Sequence, residues 1–98
     1  MKQVLDDKEV LVLECIRESK EAIGSWYLVE KLEEKDIYIS SATIGRILSH
    51  LEKMGCVVKE GSKGRTITKK GIEALEMTKK INSINFHKEE LERLINTK

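Results

Sequence analysis

The sequence predicts one mainly α-helical domain that carries a small β-hairpin. The chain has 98 residues, which is the length of a single domain. Hydrophobic residues make up 40% of it, enough for a modest core although 36% of the residues are charged. Apolar residues recur at helical spacing over most of the chain, and β-branched residues gather in two short runs around a glycine-containing turn. These observations argue against a two-domain enzyme and against a disordered chain.

Two helices are predicted before residue 36. Residues 7–19 place their apolar side chains at helical spacing, and the carboxylate of Asp6 or Asp7 is suited to cap the first turn. Residues 22–24 break the helical pattern, and we expect a short extended segment there. Ser25 is then the predicted cap of a second helix that ends at Lys35.

The third predicted helix has the strongest periodicity in the chain. After a turn at residues 36–39, Ser40 or Ser41 is the predicted cap, and the helix over residues 41–54 stops at Gly55. Its apolar residues fall within about 120° of arc. They are Ile44, Ile47, Leu48, Leu51 and Met54. One side of this helix is therefore expected to pack, which leaves the opposite side for a partner.

A hairpin and a fourth helix follow. Residues 56–68 contain two β-branched runs around the turn Gly61-Ser62-Lys63-Gly64, so we predict a hairpin with a cation at its tip. Thr68 is suited to cap a helix over residues 69–81. We expect residues 82–98 to form a C-terminal helical extension, which either dimerises or links the domain to an effector domain absent from this chain.

Over residues 1–81 the predicted order is helix, short extended segment, helix, helix, hairpin, helix. This is the order of a winged helix-turn-helix, in which the third helix enters the major groove of duplex DNA and the hairpin lies beside it as the wing. The distribution of charge agrees with that architecture. The formal net charge is +1, but residues 1–40 hold six Lys or Arg against ten Asp or Glu, whereas residues 41–71 hold seven against two.

The free side of the third helix supplies the candidate reading residues. Small side chains there let a helix backbone approach the bases closely. Arg46 is the best candidate to read a base, since its guanidinium matches guanine O6 and N7, and Lys53 flanks it with charge. The alternative for both cations is a solvated face. The predicted DNA-binding residues are Tyr27, Ser41, Ala42, Thr43, Arg46, Ser49, His50, Lys53, Lys63 and Arg65.

Several of these residues have a plainer alternative role. Lys63 and Arg65 either contact phosphates or only protect the exposed edge of the hairpin. Ser41 and Thr43 either contact phosphates at the helix N-terminus or only cap it. His50 lies at the edge of the apolar stripe, where packing is the alternative to reading DNA.

Two aromatic residues open the second helix. We expect Trp26 to pack within the protein. Tyr27 is expected to offer its hydroxyl to a phosphate, because the second helix of this architecture crosses the DNA backbone.

From about Leu5 to Leu75 the chain resembles the winged-helix domain at the amino end of archaeal and bacterial transcriptional regulators of the nitrogen-repressor kind. The same domain type is also attached to ribonuclease R. The resemblance implies duplex DNA binding and transcriptional control. The chain departs from the family pattern in two ways. The turn over residues 36–39 is long and lacks the common glycine, and the effector domain into which such regulators usually continue is missing. The similar stretches are Ile23-Gly24-Ser25 leading into Leu28–Leu32, Ile39–Leu48 leading into Leu51–Gly55, and Gly64–Gly71 leading into Leu75.

Other classes of function find little support in the sequence. Cys15 and Cys56 lie far apart with no metal-ligand spacing, so we expect two buried free thiols. Neither a phosphate loop nor G-x-G-x-x-G occurs, and we predict no cofactor and no enzyme activity. The chain shows no signal-peptide or membrane-length apolar run, which favours a cytoplasmic protein. We expect a homodimer on duplex DNA. The alternative is a winged-helix module for protein interaction, or an accessory RNA-binding module.

Overall fold

The computed structural model describes residues 5–81 and gives four helices and one hairpin over that range. The C-terminal extension predicted for residues 82–98 lies outside it. Helix α4 is formed by helical residues 69–81. The elements before it are α1 (Asp7–Glu18), α2 (Ser25–Glu33), α3 (Ser41–Lys53), β1 (Val57–Lys59) and β2 (Arg65–Ile67). None of the helices in the described range is long and apolar enough to cross a membrane.

The predicted helix starts are confirmed at α1 and α3 and wrong at α2. Asp6 caps α1 in a reciprocal capping box, because its side chain accepts the Glu9 N–H at 2.8 Å while the Glu9 side chain accepts the Asp6 N–H at 3.0 Å. Ser40 caps α3. The N-cap of α2 is Gly24, which has no side chain to accept a hydrogen bond, and Ser25 is already the first helical residue.

The ends of α2 and α3 share one geometry although only one of them carries glycine. Gly55 (φ 81°) and Asp36 (φ 62°) both adopt the left-handed conformation just after their helices. In each case the next N–H reaches back to the last turn. Cys56 donates at 2.9 Å to a carbonyl of α3, and Ile37 donates at 2.9 Å to Leu32. Asp36 therefore performs the role for which glycine is common in this turn, since Asp tolerates the left-handed region better than most residues.

The core lies where α1, α2 and α3 meet the inner side of the hairpin and α4. Three residues of the predicted α3 stripe, Ile44, Leu48 and Leu51, are fully buried, and Ile47 and Met54 pack at the margin of the core. Complete burial of one such side chain contributes about 1.5–3 kcal/mol, so this stripe fixes the orientation of α3. The buried apolar residues are Leu5, Val12, Leu13, Cys15, Ile16, Ile23, Leu28, Leu32, Ile44, Leu48, Leu51, Cys56, Val57 and Leu75.

The hairpin is confirmed, and it rests on the segment before α2. β1 and β2 pair antiparallel with Val57 opposite Ile67. The expected extended segment forms an isolated bridge between Ile23 and Arg65 rather than a strand, with N–H to carbonyl distances of 3.1 and 2.9 Å in the two directions. Gly64 (φ 122°) lies against this bridge so closely that a Cβ there would overlap the backbone of Ile23. The base of the wing is therefore fixed on the domain.

The stretch Thr68-Lys69-Lys70-Gly71 connects the hairpin to α4, and two of its residues have specific structural roles. The Thr68 hydroxyl accepts the Gly71 N–H at 3.0 Å, as predicted for a cap, and donates to the Gly55 carbonyl at 2.6 Å. Gly71 presses against Cys56, where an added Cβ would overlap the carbonyl oxygen. Threonine and glycine are thus needed here for capping and for close approach.

Candidate nucleic-acid interface

The outer face of α3, defined here as Ala42, Gly45, Arg46, Ser49 and Lys53, is open to solvent. Four of these residues are exposed and Gly45 is half-buried. A Cβ at Gly45 would have no neighbouring atom within 4 Å, so packing inside the protein does not require glycine at this position. The helix backbone is consequently accessible along this side.

Two cations project from the outer face of α3. At 100° per residue, Arg46 and Lys53 lie within about 20° of each other around the helix axis, two turns apart. In the described part of the chain, neither has a carboxylate oxygen within 4 Å. Their charges are therefore available to an anionic partner.

His50 borders the outer face of α3 on the side of α1. Its Nδ1 lies 2.6 Å from Oε2 of Glu9, whose side chain is only 9% exposed. The imidazole itself is 61% exposed, so His50 is held by one polar contact rather than by packing. Nδ1 is thus engaged with the Glu9 carboxylate, and Nε2 is the ring nitrogen left for a partner.

Glu52 borders the same face on the side of the hairpin. Its Oε1 accepts the Nε–H of Arg65 at 2.9 Å, and the two side chains are 43% and 21% exposed respectively. Sequence reasoning missed this carboxylate. The structure supplies a reason for the pair, since Lys59 lies directly opposite Arg65 in the hairpin and two like charges on neighbouring strands favour an acidic partner.

The wing tip carries Lys63 at an exposed position. The loop is closed by the Glu60 N–H donating to the Gly64 carbonyl at 2.7 Å and the Lys63 N–H donating to the Glu60 carbonyl at 3.0 Å. A shallow depression beside the tip is lined by Glu21, Ala22, Glu60 and Lys63. Two carboxylates therefore lie near this cation, although within residues 5–81 neither forms an ion pair with it.

Comparison with known proteins decides the family. The model of the ribonuclease R winged-helix domain matches residues 10–75. The chain belongs to this family. It is also 32% identical over 72 residues to the global nitrogen regulator NrpR of Methanocaldococcus jannaschii, a match that covers 74% of this chain and 13% of that regulator. No solved structure matches the chain. The resemblance and the winged-helix architecture predicted from the sequence are thereby confirmed.

Ser41 and Thr43, at the N-terminus of α3, differ in their hydrogen bonding. Thr43 donates its N–H to the Ser40 hydroxyl at 3.2 Å, and the two side-chain oxygens lie 3.0 Å apart. Ser41 is exposed and follows the cap directly. Thr43 is thus part of the capping arrangement, whereas Ser41 is an exposed residue outside it.

The two aromatic residues of α2 have different surroundings. Tyr27 is 41% exposed and lines a cleft between α1 and α2. Nζ of Lys31 lies 5.7 Å from the centroid of the Tyr27 ring. The Glu34 carboxylate and the Tyr27 hydroxyl raise the pKa of Lys31. Trp26 is 70% exposed, so the expectation that it packs within the protein is wrong. Tyr27 is brought together with Lys31 rather than with the outer face of α3.

Both thiols of the winged-helix domain are buried and free, as predicted. Burial raises the pKa of Cys15 and of Cys56. A buried thiol with a raised pKa has little thiolate at neutral pH and is a poor nucleophile. The described residues contain no group of three side chains arranged to hold a metal ion.

Proposed function

We propose that this winged-helix domain binds duplex DNA sequence-specifically as part of a transcriptional regulator. In the proposed complex α3, predicted over residues 41–54, lies in the major groove, and the hairpin of residues 56–68 lies beside it on the backbone. The observation that carries the proposal is the outer face of α3, where Arg46 and Lys53 stand among small residues and have no carboxylate oxygen within 4 Å in residues 5–81. The assigned role is binding without catalysis.

Each residue of the outer face has a distinct proposed role. Arg46 reads a guanine through its two-pronged guanidinium, which discriminates against the wrong base by about 1–3 kcal/mol. Ala42, Gly45 and Ser49 let the helix lie deep in the groove. Lys53 contacts phosphate, which positions the helix without specifying sequence.

The flanking residues contribute to positioning on the DNA backbone. Lys63 contacts phosphate from the wing tip, and Ser41 does so at the N-terminus of α3, where the helix dipole favours an anion. His50 is available only through Nε2. Thr43 contributes to this anion site mainly by fixing the N-terminal cap of α3. Tyr27 contacts a phosphate only where the DNA backbone passes the cleft between α1 and α2.

The relative supports the same class of function for a part of a longer protein. That relative is a global nitrogen regulator, and the similar region is 13% of its length. We propose that residues 1–81 form the DNA-binding domain and that residues 82–98 dimerise or lead to an effector domain. Two-fold related domains on two half-sites would follow from dimerisation. Sedimentation at several concentrations, with and without a duplex carrying two half-sites, measures the stoichiometry.

Selection of ligands from a random duplex library tests the proposed function. The purified chain should enrich a defined sequence, and its affinity for that sequence should fall linearly on a logarithmic scale as salt is raised, because binding releases counterions. An absence of duplex binding at low salt, where counterion release is most favourable, contradicts the proposal.

RNA binding is the second candidate, because the chain belongs to the family of the ribonuclease R winged-helix domain. One titration with duplex DNA, duplex RNA and single strands of the same sequence separates the two functions. Duplex RNA has a deep and narrow major groove that α3 cannot enter, so preference for duplex DNA supports groove reading. Preference for RNA would replace the proposal. Binding only to a protein partner, with no dependence on salt, would indicate an interaction module.

A further inference from the structure

We propose that Arg65 is a positioning residue: its ion pair with Glu52 fixes the wing against α3 and neutralises a carboxylate at the DNA-facing side. This inference rests on the proposed DNA-binding function and deepens it. It replaces the direct phosphate contact that the sequence suggested for Arg65. The pair is formed between Nε of Arg65 and Oε1 of Glu52 at 2.9 Å.

Arg65 connects three parts of the domain. Its main chain belongs to β2 and exchanges two hydrogen bonds with Ile23, at 2.9 and 3.1 Å, in the segment before α2. Its side chain reaches α3 and is 21% exposed. This is the lowest exposure among the lysine and arginine side chains that pair with an acid in residues 5–81. Arg65 is thus held at Ile23 through its main chain and at Glu52 through its side chain, and this double attachment sets the distance between the wing and α3.

The partner carboxylate lies where a free negative charge opposes DNA binding. Glu52 follows Ser49 by one helical turn and precedes Lys53, and these three residues line one shallow depression. It is one of only two carboxylates in residues 41–71. A phosphate backbone near this depression repels an unpaired Glu52, whereas the pair presents no net charge. The planar guanidinium of arginine is well suited to this carboxylate geometry.

A double-mutant cycle distinguishes positioning from direct phosphate contact. The proteins are the wild type, Arg65→Ala, Glu52→Gln and the double variant, each titrated with the selected duplex at several salt concentrations. We expect Arg65→Ala to weaken binding about tenfold in the wild type and less than about twofold in the Glu52→Gln background, because its action passes through Glu52. The salt dependence should be the same in Glu52→Gln and in the double variant.

Two results of this cycle overturn the inference. Equal losses from Arg65→Ala in both backgrounds, with the salt slope reduced by about one, mean that Arg65 contacts a phosphate directly. An unchanged affinity in Arg65→Ala means that the pair has no role in binding. Lys59→Ala is the matched control, since Lys59 lies opposite Arg65 in the hairpin without an ion pair in the described residues. Its effect should be identical in both backgrounds.

Hydrogen exchange on the free protein separates this inference from the proposed function. The amides of Ile23 and Arg65 should exchange several-fold faster in both single variants, since the pair closes the wing on the domain. If the wild type binds no duplex, the proposed function fails, while faster exchange still shows that the pair holds the wing. Unchanged exchange in both variants contradicts the positioning role, whatever the DNA result.

Discussion

The region before α3 and the region from α3 to the start of α4 differ in how many of their lysine and arginine side chains are paired with carboxylates. Three of the five lysines and arginines in residues 5–40 have a carboxylate within 4 Å, namely Arg17 with Glu76, Lys31 with Glu34 and Lys35 with Glu18. Of the seven in residues 41–71, only Arg65 has one within the described structure. Most cations of the first region are therefore neutralised by a nearby carboxylate, whereas most cations of the second region are not.

This contrast teaches more about binding than about stability. Exposed ion pairs such as that of Lys31 and Glu34 contribute about 0–1 kcal/mol, so their pairing adds little to the fold. Its effect is to confine the attraction for an anion to one side of the domain. A net charge of +1 is then compatible with nucleic-acid binding, because position and pairing decide the local potential.

The largest expected effect comes from removing Arg46, the cation at the centre of the outer face of α3, which has no acidic partner among the described residues. Arg46→Ala should weaken binding to the selected duplex by about 1–3 kcal/mol and relax specificity at one position. Arg17→Ala is the matched control, because that arginine is already paired with Glu76. Fluorescence anisotropy on the selected and an unrelated duplex measures both. Equal losses of duplex affinity in Arg46→Ala and Arg17→Ala would show that pairing with a carboxylate does not distinguish the two regions in DNA binding.

A smaller effect is expected from Gly45→Ala, which tests whether the outer face is shaped for close approach. The added methyl group meets no atom of the protein. Alanine should therefore stabilise α3 by about 1 kcal/mol, as it does in exposed helix interiors. It should nevertheless weaken duplex binding, because the methyl group lies between helix and groove. Urea unfolding and a duplex titration of the same variant measure the two changes, and tighter binding by the stabilised variant contradicts groove insertion.

Lys63→Ala should have a weaker and less specific effect. Its loss removes one phosphate contact, so every duplex should bind less tightly by a similar factor and the salt slope should fall by about one. Lys20→Ala, an exposed cation in the region before α3, serves as the control with no expected change. A loss confined to the selected sequence would show that Lys63 reads bases rather than positions the wing.

The sequence predicted local structure better than contacts between distant elements. The bounds of α3 followed from its apolar stripe, the Ser40 cap and Gly55, all of which act within a few residues. The partners of His50 and Arg65 lie 41 and 13 residues away, and only the packed fold brings them together. Trp26 was placed wrongly because the tendency of large aromatic residues to be buried does not decide a single exposed position.

The smallest expected effect concerns one buried thiol in each region. Burial raises the pKa of Cys15 in α1 and of Cys56 before β1 above the ordinary value of 9.0. The unfolded chain therefore loses these protons first as pH rises, so the folded state loses stability between pH 9 and the folded pKa of each thiol. Below pH 9 no such loss is expected.

Urea unfolding of the wild type and of Cys56→Ala at pH 7 and pH 10 measures this effect. The fall in stability between the two pH values should be smaller in the variant, since one of the two titrating thiols is gone. Comparing each protein with itself removes the cost of the cavity that alanine leaves. At each site a nearby lysine opposes the rise in pKa that burial causes, Lys35 at Cys15 and Lys70 at Cys56. An equal fall in both proteins would show that Cys56 does not titrate as a buried group, and that the start of the hairpin is more open than its full burial implies.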